Sequence, residues 1–220
     1  VVIPANANNL ALYNEWRGFN DSILTAYHKF MRDKVKELAP NLQVCIKAMQ
    51  YIMPKNDENG RTSGGGNYEQ VAEYMDINGN DGWAYMGNDS RELQAKLAWY
   101  DYLMSVKEIP VLNAEDHVIA DAAGTIYREG ELTYNIADIW QGVMHGRAGS
   151  ALWLWFPTEI KYSKGAFYEN AVLNARADYM AEIGKTALDF RRLAREIAAV
   201  NNEKARVAGG VPRIGTSLSL

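Results

Sequence analysis

Short apolar runs alternate along this chain with longer stretches in which apolar residues return every three or four positions. The short runs are NNLALYNEW (8–16), LQVCIKAMQY (42–51), VAEYMDING (71–79), IPVLNAEDHV (109–118) and SALWLWFP (150–157). Each is rich in β-branched, aromatic or leucine residues and has the length of a strand buried on both faces. Five strands are therefore predicted. After Asn20, Asp21 and Ser22, which offer N-caps, residues Ile23, Leu24, Tyr27, Met31, Val35 and Leu38 recur at helical spacing until Pro40. A second helix follows Asp89 and Ser90, with Leu93, Leu97, Tyr100 and Met104 along one side. A third carries Leu132, Ile136, Trp140 and Val143 and ends before Gly146. The longer, more charged segment from about 170 to 200 reads as an outer helix broken near Gly184. Strands alternating with helices of this length predict βα units around a parallel sheet, an α/β fold.

Two segments fall outside this rhythm. Residues 54–68, PKNDENGRTSGGGNY, are polar, glycine-rich and aperiodic, which predicts a long loop. Gly64, Gly65 and Gly66 do not make a phosphate cradle, since no Lys-Ser/Thr pair follows them. The end of the chain, AGGVPRIGTSLSL (208–220), has no periodicity and reads as a tail.

Composition narrows the class. With 220 residues, 48% of them apolar, the chain can bury a substantial core as one large domain or a piece of one. Acidic and basic residues are interspersed at a net charge of −4, so no polyanion-binding surface is expected and nucleic acid is not an expected partner. No stretch approaches the ~20 apolar residues of a membrane-spanning helix, and no membrane partner is expected. The one cysteine, Cys45, lies in an apolar run without flanking charge and reads as a small core residue. The compartment stays open.

In an α/β barrel the chemistry sits where strands run out, so polar residues that close an apolar run are the candidates. Two runs end in glutamate: Leu10–Tyr13 leads into Asn14-Glu15-Trp16, and Val111-Leu112 leads into Asn113-Ala114-Glu115-Asp116-His117. A carboxyl at the end of a buried strand loses solvation, which favours the neutral form a general acid needs. Either glutamate alone could be a helix cap or an ion-pair partner. Two of them together match the requirement of glycosidic cleavage for one carboxyl that protonates the leaving oxygen and another that attacks carbon or activates water.

Sugar rings stack their C–H faces on aromatics while their hydroxyls seek Asn, Asp, His and Glu. Trp16, Trp83, Trp153 and Trp155 fall at or just after run ends, and Asn80 lies in the same stretch as Trp83. Trp153 and Trp155 alternate and share a face, so they either line a sugar site or fill an interior. Trp99 and Trp140 lie within helices and read as core. His117 shares a face with Glu115 if the strand is extended, His145 reads as a C-cap or a residue at the sheet top, and His28 reads as surface. No HExxH or paired-histidine spacing occurs and no metal or other cofactor is expected; no G-x-S-x-G elbow points to a serine hydrolase.

With these residues laid out, the stretches YNEW (13–16), NGNDGW (78–83), NAEDH (113–117), WQGVMHGRAGSALWLW (140–155) and LDFRRLAREIAAV (188–200) resemble clan A glycoside hydrolases. Within that clan the chain is most similar to family 42 β-galactosidases and their relatives. The resemblance implies a (β/α)8 barrel of which strands four to eight are present, over residues 1–205, with 206–220 as a tail or the start of a following domain. It also implies roles: Glu15 as acid/base, Asn14 as partner of the sugar 2-hydroxyl, Glu115 as nucleophile, and Trp153 or Trp155 in the subsite that holds the reacting sugar. Strands one to three have no counterpart before Val1. A half barrel would leave unpaired sheet edges, so the chain is expected to be a fragment whose partner is the N-terminal half of the same barrel.

The leading expectation is a retaining β-galactosidase-like enzyme acting on a carbohydrate substrate. The alternatives are an endo-acting clan A polysaccharide hydrolase and a non-catalytic carbohydrate-binding barrel fragment. Self-association into a homo-oligomer stays open.

Overall fold

In a computed structural model of the chain, the residues described are 10–49, 67–84, 91–117, 130–153 and 177–210. They form α1 (Leu10–Leu38), β1 (Ala48–Met49), α2 (Tyr68–Ala72), β2 (Asn78–Asp81), α3 (Arg91–Val106), β3 (Val111–His117), α4 (Glu131–Met144), β4 (Arg147–Trp153), α5 (Ala177–Arg192) and α6 (Ala194–Gly210). The strands make one parallel sheet in the order β1-β2-β3-β4. Parallel neighbours require crossovers, and α3 and α4 supply them on either side of β3. The predicted α/β class and parallel sheet are present, with four strands among the described residues where five were expected.

The missing strand is the first. The run at 8–16, expected to be extended and to close on Glu15, is helical from Leu10 onward. Its apolar spacing runs without a breaker into the helix that follows, and Tyr13 and Trp16 pack as an i, i+3 ring pair at 6.0 Å. The residues expected as N-caps are interior: the Asn20 amide donates to the Trp16 carbonyl at 2.9 Å and the Ser22 hydroxyl to Phe19 at 2.7 Å. Such back-bonding is how short polar side chains are accommodated inside a helix.

The third strand is displaced toward its C-terminus. Asn67 caps α2 by accepting from the Gln70 amide at 3.3 Å, so Val71 and Ala72 are buried on a helical turn. β2 begins where Asn78 is anchored. That fully buried amide donates to the carbonyls of Leu103, Lys107 and Ile109 and accepts from the Tyr68 hydroxyl at 2.9 Å.

The helix break expected near Gly184 falls instead at Leu193, between α5 and α6. α6 then runs to Gly210. The predicted loop lies outside the described residues up to position 66, and the tail lies outside them from 211.

Trp99, Tyr100 and Leu103 of α3 pack with Ala48, Tyr68, Ala72 and Val111 to form the core behind the sheet. A second cluster joins Ile139 of α4 to Tyr179 of α5, with Trp140 edge-on to Phe190 at 4.6 Å. Trp99 and Trp140 thus have the packing roles read from the sequence. Among the described residues no helix is long and apolar enough to cross a membrane.

Candidate active site

The site is built around an irregularity in β3. Asn113 is level with Ser150 and Asp116 with Leu152, so β3 carries one extra residue between those points. A bulge of this kind breaks the simple alternation of faces. Asn113 and Asp116 therefore both meet the helices, while Glu115 and His117 face the other side. Asn113 also holds the bulge in shape: its amide donates to the Gly82 carbonyl at 2.8 Å and to the Tyr100 hydroxyl at 3.0 Å, and its oxygen accepts from the Glu115 amide at 3.3 Å.

At the carboxyl ends of the strands, where α/β folds carry their chemistry, four polar groups converge. Glu115 accepts from the Lys47 ammonium through Oε2, while its Oε1 lies 3.2 Å from Nε2 of His117. Lys47 also lies 3.2 Å from Asp81, whose other oxygen is 3.9 Å from the His117 ring. Aromatics flank this group. Trp153 stacks on His117 at 5.6 Å and 29°, and Trp83, bridged to His117 through the backbone, tilts against the same ring at 6.1 Å.

Lys47 reaches the site because β2 lies close to the chain ahead of β1. A Cβ on Gly79 would sit 1.9 Å from the Ile46 carbonyl oxygen, so only glycine permits that approach. Burial pushes the Asp81 carboxyl above the ordinary carboxylate range, partly countered by Lys47. For Lys47 itself, burial works against the charge, but Glu115 and Asp81 outweigh it and hold the ammonium above the usual lysine value.

Behind the sheet lies a second charged group that is wholly buried. Lys96 donates to Asp116 at 3.0 Å and to Asp138 at 2.6 Å, Arg147 donates to Asp116 and to the Ile139 carbonyl, and Ser150 donates to Asp116 at 2.8 Å. Burial opposes the Asp116 charge, but Arg147 and Lys96 more than reverse this and hold its carboxyl below the usual range. Asp138 goes the other way, raised by burial.

Asp81, Glu115 and His117 have ligand atoms within 4.8 Å of one another, the spacing a small cation would require. The Lys47 ammonium already lies between the two carboxylates and supplies the positive charge there.

Of the residues singled out from the sequence, Glu115, His117, Trp83 and Trp153 come together. Asn14, Glu15 and Trp16 do not lie at a strand end: all three are on α1, with Asn14 and Glu15 exposed. Asn80, expected to bind substrate, is fully buried and donates to the Leu112 carbonyl at 3.0 Å, so its amide braces β3. Trp155 lies outside the described residues. His145 is the C-cap of α4 and pairs with Asp101 at 2.8 Å. Lys47 and Asp81 were not anticipated. The signal for Lys47 was a lone charge inside an apolar run.

No protein-family model and no curated protein matches the chain. Solved structures do. A family 42 exo-carrageenase from Bacteroides ovatus superposes with a TM-score of 0.68 at 20% identity, covering 86% of this chain and 27% of that one. A cold-adapted β-galactosidase from Rahnella sp. R3 follows at 0.60 and 16% identity, over 82% of this chain and 26% of its own. An endo-1,4-β-D-mannanase from Thermotoga petrophila gives 0.52 and 14%, over 76% of this chain and 52% of the mannanase. The chain spans about a quarter of the length of the first two. At these identities the likeness is one of fold, and it agrees with the resemblance read from the sequence: the chain folds like part of these glycoside hydrolases.

Proposed function

We propose that the chain is the nucleophile-bearing part of a retaining β-glycosidase, with Glu115 attacking the anomeric carbon. The observation that carries this reading is the position of Glu115, turned by the β3 bulge to the carboxyl edge of the sheet beside the stacked His117–Trp153 pair. Attack forms a glycosyl ester on Glu115 as the leaving oxygen takes a proton from a second carboxyl. That carboxyl then removes a proton from the water that hydrolyses the ester.

The second carboxyl is assigned to Glu15 on the sequence resemblance, with Asn14 and Trp16 beside it. This assignment requires an N-terminal half that completes the barrel beside α1. Phe19, Ile23, Tyr27 and Phe30 of α1 are each at least half exposed and follow helical spacing, an apolar stripe that such a half would cover.

The substrate class that fits best is a β-linked galactoside or related sugar, held by Trp83, His117, Trp153 and Trp155. The likeness to an endo-mannanase supports a second reading, an endo-acting hydrolase with an open cleft.

Hydrolysis of a chromogenic β-galactoside by the chain, alone and mixed with the N-terminal half, tests the proposal. Activity that Glu115→Gln abolishes without loss of fold supports it. Activity that survives Glu115→Gln removes Glu115 from the mechanism, and sugar binding without turnover in any combination makes the chain a binding module.

A further inference from the structure

Lys47 is a charged side chain that the glycosidase reading does not use. It emerges just ahead of β1, the first strand of the sheet, and its ammonium meets two carboxylates from two other strands. One is Glu115 on β3, bonded through Oε2; the other is Asp81 on β2, at 3.2 Å. Asp81 is 4% exposed and Glu115 19%, whereas Lys47 is 44% exposed at its side chain. Two acids of limited exposure thus hold a lysine that is itself about half exposed.

Resting on the reading of Glu115 as nucleophile, we propose that Lys47 is its positioning residue, holding the carboxylate in one rotamer turned toward the sugar, with Asp81 as the anchor that fixes the ammonium. Two carboxylates this close would repel each other, and an ammonium between them removes that repulsion. The bond to Oε2, together with His117 at Oε1, fixes both oxygens of Glu115. A nucleophile gains when it is held in one rotamer and kept charged in a partly dry site. The described groups that face Glu115 are Lys47 from ahead of β1, Asp81 from β2 and His117 from β3 itself, so Lys47 is the permanent cation among them. Lys47 acts on Glu115 through a hydrogen bond, so in this reading the lysine works through the nucleophile and not on the substrate.

The test follows the Glu115 side chain directly. Crystal structures of the unsubstituted protein and of Lys47→Met, Lys47→Gln and Lys47→Arg show where Glu115 points: it is expected to leave its rotamer in the two neutral variants and to keep it in Lys47→Arg. In the form that the galactoside assay finds active, kcat falls about tenfold or more in the neutral variants while KM changes less, and Lys47→Arg restores it. A lysine that only supports the fold would lower Tm and leave the Glu115 rotamer and kcat of the folded protein where they were, and that result overturns the proposal. Should both neutral variants fail to fold, Lys47→Arg decides: Glu115 must keep its rotamer there, and a folded Lys47→Arg in which Glu115 turns away without loss of kcat overturns the proposal. A Glu115 that turns away in the neutral variants of a protein without turnover in any combination would uphold the positioning and refute the glycosidase reading, so the two failures are told apart.

Discussion

Glu115 and Asp116 are consecutive in the chain and serve opposite sides of the sheet. Glu115 meets Lys47 and His117 at the strand ends, while Asp116 is fully buried among Lys96, Arg147 and Ser150. Neighbouring strand residues face opposite ways, and the bulge in β3 sets which of the two turns to the strand-end cluster. It lets one short stretch, NAEDH, supply both the carboxylate proposed as nucleophile and the electrostatic anchor of the strand that carries it.

Removing the Asp116 charge leaves Lys96 and Arg147 buried with one anion fewer. Breaking a buried ion pair from one side costs about 3–5 kcal/mol. Asp116→Asn is expected to lower unfolding free energy by that amount in a denaturant titration, whereas neutralising the exposed Asp33 should change it by less than about 1 kcal/mol.

The same residue shapes acid stability. Its folded carboxyl is held below the ordinary value, so its contribution is present above the unfolded value of about 3.9 and is lost as pH falls through the lower folded value. Asp138, raised by burial, runs the other way: its cost sets in as pH rises past about 3.9 and offsets part of the gain. Denaturation midpoints between about pH 2 and 7 should fall on the acid side, and Asp116→Asn should flatten that fall. A fall that steepens in the variant contradicts the assignment.

Gly79→Ala places a methyl carbon 1.9 Å from the Ile46 carbonyl. Backbone has to move, which costs several kcal/mol by the strain and overpacking it introduces. A crystal structure of the variant should show the segment ahead of β1 displaced from β2, with Lys47 drawn away from Glu115.

Asn113→Ala removes the amide that bonds Gly82 and Tyr100 and the oxygen that accepts from the Glu115 backbone. The buried groups left unpaired cost about 1–3 kcal/mol in stability. Because the bulge loses its brace, kcat/KM should fall on the order of tenfold in protein that remains folded.

Trp153→Ala takes away the ring stacked on His117. Aromatic stacking of about 0.5–1.5 kcal/mol predicts a two- to tenfold rise in KM for a sugar that lies on it. An unchanged KM would put Trp153 outside the sugar subsite.

Much of this architecture is legible in the sequence, for physical reasons that differ by element. The runs at 109–118 and 150–157 fall on β3 and β4, although β4 opens three residues ahead of its run and positions 118 and 154–157 lie outside the described residues. Helices α3 and α4 follow their apolar stripes closely. The run at 8–16 misleads because leucine, alanine and tyrosine suit either state, and helical spacing downstream extends back through it. At 71–79 the deciding residue is Asn67, a cap lying outside the run that shifts the strand to Asn78. Glu115 and His117 are legible as a pair two residues apart, but the bulge beside them is not, since it depends on pairing with β4. Lys47 and Asp81 escape notice because what matters about them is a contact across three segments, and no spacing along the chain encodes it.

Covalent trapping asks most directly whether Glu115 is the nucleophile. A fluorinated β-glycoside with a good leaving group slows hydrolysis of the glycosyl-enzyme more than its formation, so the intermediate accumulates and can be mapped by peptide mass spectrometry. Label on Glu115, within the segment 111–117, is the predicted result. Label on Glu15 or Asp81, or turnover with no covalent intermediate, would contradict it.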